Sequence, residues 1–206
     1  MKKIAFTGTS GSGKTTLVKF IEEELKLKHL NGSSGELLTE KDVEEFEERF
    51  SYKGGKGHAH VIRESHMNPE FGLKYQLRVL ERRTQLIEEH MDFVTDRSPL
   101  DNFVYFMLQS GLYQSNIICQ NFMELSMKAM SELTHIIYVP AMIQDVEDNN
   151  SRVANYLYQR AVDAIFNTYW QPFSHHAKVA NPRLKLMKLT VLNLAERKAQ
   201  VKEFLR

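Results

Sequence analysis

The chain has little of what marks a secreted, membrane-spanning or nucleic-acid-coating protein. It holds a single cysteine in 206 residues. No internal disulfide can form, and the apolar setting Ile117-Ile118-Cys119 suits a buried thiol in a reducing compartment, so a cytoplasmic location is expected. Met1-Lys2-Lys3 is followed by four residues before Gly8, an apolar part too short for a secretory leader. No run approaches the roughly 20 apolar residues that a spanning helix needs. Basic and acidic residues nearly cancel, 27 Lys and Arg against 26 Asp and Glu, and no dense basic run occurs. That balance argues against a broad phosphate-contacting surface for duplex nucleic acid, while a local basic site stays open.

What is present is an average globular composition, 42% hydrophobic and 26% charged, in a chain of 24.0 kDa. One domain over 1–206 is expected, large enough to bury its own core. Residues 3–7 read as a short buried strand, and Leu17, Val18, Ile21 and Leu25 recur at helical spacing from Gly13 to about Lys28. Asn31 to Gly35 is a Gly/Ser-rich break, Thr39 caps an acidic helix to about Phe50, and the glycines of 51–57 mark a loop. Strands are then expected at 59–63, 92–95, 135–139 and 184–188. Helices are expected at 69–90, 100–109, 115–131, up to Phe173 with Pro172 marking its end, and 194–205. Alternating strands and helices predict a parallel sheet covered on both faces, with ligands at the strands' carboxyl ends, where Gly8, Glu64, Asp96 and Pro140 would meet. The segment around 32–57 is expected to be a mobile insertion, and 141–160 a lid.

Gly8-Thr9-Ser10-Gly11-Ser12-Gly13-Lys14-Thr15 satisfies GxxxxGK(S/T). Its glycines let backbone N–H groups wrap a polyphosphate at a helix N-terminus. At average residue frequencies the four fixed positions coincide in a chain of this length only about 1% of the time. The motif therefore predicts ATP and Mg2+ binding by Gly8, Gly11, Ser12, Gly13, Lys14, Thr15 and Thr16. Lys14 reaches the terminal phosphates and Thr15 ligates the metal. Asp96-Arg97-Ser98 ends an apolar strand with an acid beside a cation, an arrangement that holds Mg2+ and neutralises a phosphate. Its bland reading is a helix N-cap with a surface ion pair. Glu64 is a candidate general base, or equally a strand-end acid paired with Arg63. Arg152 and Arg160 follow an acidic stretch at Asp145, Glu147 and Asp148; they can close over a nucleotide or belong to a solvated loop. Phe71 and Gln76 can stack on and hydrogen-bond a base, although Phe71 with Tyr75 at i, i+4 suits a core stripe equally well. His58, His60 and His66 have ligand-like spacing for zinc, but no cysteine accompanies them.

Together Gly8–Thr16, Val61-Ile62-Arg63-Glu64-Ser65 and the stretch from Thr95 to Phe106 resemble the small P-loop kinases of nucleosides and nucleotides. The likeness is to the deoxynucleoside kinase and nicotinamide-riboside-kinase-like groups, including bacteriophage kinases. The resemblance implies a three-layer α/β P-loop NTPase fold with a five-stranded parallel sheet and a helical lid. It implies transfer of the γ-phosphoryl of ATP to a nucleoside or nucleotide, with Glu64 as base and Asp96, Arg97 and Ser98 as the acid-Arg-Ser element. Arg152 falls in the lid, and Glu64, Phe71, Gln76 and Arg97 contact the acceptor. Asp96 stands where deoxynucleoside kinases generally carry Glu. DNA as the acceptor, a nucleotide-dependent switch and a homodimer remain alternatives.

Overall fold

The computed structural model describes residues 1–50, Val61, Glu64, Ser65, 67–141 and 156–206. Five parallel strands form one sheet: β1 (Lys3–Thr7), β2 (Lys28–Leu30), β3 (Phe93–Thr95), β4 (His135–Tyr138) and β5 (Lys185–Lys188). Their order is β2-β3-β1-β4-β5, which puts β1 at the centre. Ala5 pairs with Thr95 on one side and Ile136 on the other, so the loops leaving β1, β3 and β4 emerge at one rim.

Strand residues alternate between two cores, as the period of two requires. Ile4, Phe6, Val94, Ile137 and Val139 face α1 (Lys14–Leu25) and α8 (Leu194–Phe204), packing on Leu17, Val18, Ile21, Val201 and Leu205. Ala5, Phe93, Ile136 and Tyr138 face the opposite layer. That layer is built from α4 (Pro69–Glu89), α5 (Pro99–Gln109), α6 (Asn116–Ser131) and α7 (Tyr156–Ala180). Phe106 stacks on Phe122 at 4.3 Å, and Phe103 meets Tyr169 at 4.8 Å and Phe173 at 4.9 Å, joining α5, α6 and α7. The expected three-layer α/β architecture with its five-stranded parallel sheet is therefore present.

Three boundaries differ from the sequence reading. The second strand of the sheet is Lys28–Leu30; of the expected strand 59–63 only Val61 lies among the described residues, and it is helical, as are Glu64, Ser65 and Met67. The first helix stops at Leu25 because Lys26 turns into the left-handed region at φ 53°, releasing the chain into β2. Pro172 does not end α7 but lies inside it. A proline there costs about 3 kcal/mol. Trp170, Phe173 and Ala177, all buried on the same stripe, offset it, since full burial of a large apolar side chain is worth about 1.5–3 kcal/mol.

A third, smaller core lies where α2 (Ser34–Leu37) and α3 (Glu40–Phe50) meet α4, through Leu37, Leu38, Val43 and Phe46 against Phe71, Tyr75 and Val79. Thr39 and Asp42 exchange hydrogen bonds at the start of α3 as the capping pattern predicts. Asp42 is 2% exposed and also pairs with Arg78 and Arg82 of α4. Burial raises its pKa, but the bonds from Arg82, Thr39 and Arg78 outweigh this and hold it well below its ordinary value of 3.8. A depressed folded-state pKa contributes stability above the unfolded value and loses it as the pH falls towards the folded one. Asp42→Asn is expected to be less stable than the parent at pH 7, and the gap should shrink by about 1 kcal/mol per pH unit below about pH 4. Urea midpoints of both proteins at pH 7 and pH 3 check this, and a gap that stays constant would contradict it.

Candidate functional site: a phosphate cradle at the sheet's carboxyl rim

The loop Gly8–Thr15 leaves the central strand and enters α1, and its backbone is one that only glycine adopts readily. Gly8, Gly11 and Gly13 have φ of 138°, 79° and 90°. A Cβ on Gly8 would stand 2.2 Å from the Val139 carbonyl oxygen, so the loop passes too close to β4 for any side chain. Gly13 is the N-cap of α1, with no side-chain cap and no acid in the first turn. The N–H groups at this helix start are thus left for an external anion. Lys14 is 5% exposed, and its ammonium donates to Gly8 O at 2.6 Å and Thr9 O at 2.7 Å.

Asp96 closes the cradle from β3. Its Oδ2 accepts from Thr15 Oγ1 and its Oδ1 from Gly32 N, each at 3.3 Å, so one carboxylate joins the start of α1 to the turn after β2. The place at the strand-two exit expected of Glu64 is taken by Gly32. A Cβ there would lie 2.7 Å from Thr95 Oγ1 and 2.8 Å from Arg97 Cβ. Glu64 sits instead on a half-buried helical position ahead of α4. Arg97 donates to Asp101 Oδ1 at 3.1 Å and lies over Tyr105 at 5.7 Å. Burial lowers its pKa, but Tyr105, Asp101 and Asp96 together raise it, so the guanidinium stays charged.

Several residues the sequence reading passed over complete the site. Asp101, 1% exposed, accepts from Thr7 Oγ1 at 2.6 Å and from Ser98 N at 2.8 Å; Ser98-x-x-Asp101 is a capping box legible in the sequence. Arg83, 4% exposed, donates to Gly32 O at 2.5 Å, to Ser98 O at 3.2 Å and to Asn102 Oδ1, clamping the exits of β2 and β3. Burial pushes its pKa down to about 10, leaving it cationic at neutral pH. Nothing in Glu81-Arg82-Arg83 separates it from a solvated face. Gln76 joins a buried amide chain, donating to Gln109 Oε1 at 2.9 Å and accepting from Asn102 Nδ2 at 3.3 Å. Phe71 is not open to a ligand: its ring is 1% exposed and meets Phe46 edge-on at 5.2 Å, because the i, i+4 stripe of α4 is the core of this layer. Arg152, the histidines at 58, 60 and 66, and the glycine loop at 51–57 lie outside the described residues. Among the described residues no cluster of three or more His, Cys, Asp or Glu could hold a metal ion. A divalent cation fits Thr15 and Asp96 in the manner of Mg2+, which takes one or two protein oxygens and completes its shell with phosphate and water.

Comparison with known families matches residues 3–182 to the AAA domain. The chain belongs to the AAA domain family. No curated protein matches it. Among solved structures, this AAA-domain chain is similar to deoxyadenosine kinase from M. mycoides with bound dATP, at 12% identity and a TM-score of 0.60, covering 100% of this chain and 99% of that one. It is also similar to shikimate kinase from Acinetobacter baumannii in complex with shikimate, at 11% identity and 0.52, covering 100% and 93%. YorR protein from Bacillus subtilis in complex with phosphorylated GDP aligns at 15% identity and 0.52, covering 98% and 94%. At such identities the likeness concerns the fold, which is that of small P-loop kinases. Among the described residues of this AAA domain, no helix is long and apolar enough to cross a membrane.

Proposed function

We propose that this protein is an ATP-dependent kinase that transfers the γ-phosphoryl group to a nucleoside or nucleotide of the deoxynucleoside or deoxynucleotide type. The observation that carries the reading is the 3.3 Å approach of Thr15 Oγ1 to Asp96 Oδ2 at the uncapped start of α1. A hydroxyl and a carboxylate side by side next to an anion cradle are the protein oxygens a magnesium triphosphate needs. Bound Mg2+ would supply neutralisation of charge on the phosphates. Lys14 and Arg97 supply fixed positive charge from two sides, aimed where negative charge develops during transfer. Arg152 is proposed to add a third cation from the lid.

The acceptor is proposed to lie across the rim from the cradle, beside α4 and α5. There the buried amides of Gln76, Asn102 and Gln109 offer donors and acceptors that can exchange their mutual bonds for those of a planar heterocycle. Glu64, just ahead of α4, is the proposed base for the acceptor hydroxyl. The test is ATP consumption across nucleosides, nucleoside monophosphates, nicotinamide riboside, shikimate and hydroxymethylated DNA, with the parent and Glu64→Gln. A nucleoside or nucleotide is expected to stimulate most. Glu64→Gln should lower kcat on it by about 10²- to 10⁴-fold with the KM for ATP largely kept. Stimulation by DNA or shikimate alone would overturn the acceptor class, and parental turnover in Glu64→Gln would remove the base.

A further inference from the structure

Arg197 belongs to α8, far from the sequence motifs, yet it touches the phosphate cradle from behind. The side chain is 2% exposed. Its Nη1 donates to Ser12 O at 2.9 Å, and its Nε donates to Val191 O at 2.8 Å in the connection between β5 and α8. Among the described residues no carboxylate stands within ion-pair distance of it. A guanidinium buried in this way is expensive, and burial lowers its pKa, but it stays charged at neutral pH. Two backbone carbonyls are a modest return for that cost unless their orientation matters.

The Ser12 carbonyl is a special one. It shares a rigid peptide plane with Gly13 N–H, and because the bond is trans, the two groups point in opposite directions. Gly13 lies at φ 90°, in a region where glycine turns with little steric resistance, so on the Gly13 side little opposes a flip of this plane. A flip would replace an N–H facing the anion by a carbonyl oxygen, the wrong sign for a polyphosphate.

We propose that Arg197 is a positioning residue of the phosphate site. By gripping the Ser12 carbonyl on the outer side of the loop it keeps Gly13 N–H aimed into the cradle, and through Val191 it couples the cradle to the connection between β5 and α8. This rests on the reading of Gly8–Thr15 as a triphosphate site. The α8 helix is a firm support for the role, being packed on α1 through Val201 and Leu205 and tied to it by the Lys202–Glu24 ion pair.

The experiment compares the parent, Arg197→Met and Arg197→Lys by calorimetric titration with inorganic tripolyphosphate and with Mg·ATP, alongside thermal melting. Arg197→Met should bind both about 10- to 100-fold more weakly, the equivalent of one hydrogen bond to a charged group. Arg197→Lys, which keeps a donor without the two-pronged fork, should recover part of the loss. A merely structural arginine would lower the melting temperature and leave the affinity of the folded protein at the parental value, which would overturn the proposal. Should Arg197→Met fail to fold, the parent labelled with ¹⁵N-glycine decides, its 10 glycines giving a sparse spectrum. Saturation with tripolyphosphate should move the Gly13 amide proton downfield, and an unmoved Gly13 amide overturns the proposal. If the parent itself binds no tripolyphosphate, the triphosphate-site reading falls and takes this inference with it. Parental affinity in Arg197→Met sinks the inference alone.

Discussion

Lys14→Ala should lower phosphoryl transfer by about 10²- to 10³-fold, the effect of removing one preorganised donor from a site of developing negative charge. The buried ammonium is held by Gly8 O and Thr9 O, so it already occupies the mouth of the cradle. A triphosphate that enters need only exchange these carbonyls for phosphate oxygens, with little side-chain ordering left to do. The truncation removes the cation and leaves both carbonyls short of a donor, so a stability loss of about 1–3 kcal/mol should accompany the kinetic effect. Steady-state kcat and KM for ATP, with a thermal melt of each protein, separate the two. Transfer at the parental rate by a folded Lys14→Ala would remove Lys14 from the phosphate site.

The contrast between Lys14 and Arg197 shows why only part of the site was legible beforehand. The cradle is a contiguous motif: glycines at the positions of positive φ, the lysine and the threonine sit in one stretch of sequence, and a strand and a helix flank it as its geometry demands. Arg83 and Arg197 are 69 and 183 residues from Lys14, and each reads locally as a surface arginine on an amphipathic helix (83 − 14 and 197 − 14). Their roles come from the strand order, which brings the exits of β2 and β3 and the start of α8 to one rim. The second strand was missed for a related reason. Lys28-His29-Leu30 is three residues at the sheet's edge, only Leu30 being buried, and only the left-handed Lys26 and Leu27 separate it from the helix before it. Lysine in that conformation carries no sequence signal of the kind glycine does. The Glu64 assignment shifts for the same reason: it rests on a strand end at 63, which lies outside the described residues, whereas Glu64 itself is helical. Asp96 stands directly after β3, as expected from the strand at 92–95.

Asp101→Ala should destabilise the protein by about 3–5 kcal/mol, because it removes the acceptor of several buried donors together with the partner of the part-buried Arg97. For a domain of this size that is a fall in Tm of roughly 6–20 °C. Asp101 receives Thr7 Oγ1 from the last residue of β1, Ser98 N and Ser98 Oγ from the start of α5, and Arg97 Nη1. Without the carboxylate, two buried hydroxyls and an amide lose their acceptor, and the charge of Arg97 is left with Asp96 and the Tyr105 ring. The hub also joins the strand that leads into the cradle to the helix that follows Asp96, so its loss should loosen the spacing between Thr15 and Asp96. Transfer by the surviving folded protein should therefore need more Mg2+ to reach half-maximal rate, an effect that a destabilised but otherwise intact enzyme would not show. Asp101→Asn is the informative companion. Its amide keeps one oxygen for Thr7 or Ser98 but offers Arg97 no charge, so it should recover part of the stability and little of the magnesium dependence. A variant at Asp101 that melts with the parent and shows the parental magnesium requirement would mean that Thr7, Ser98 and Arg97 hold the rim together without it.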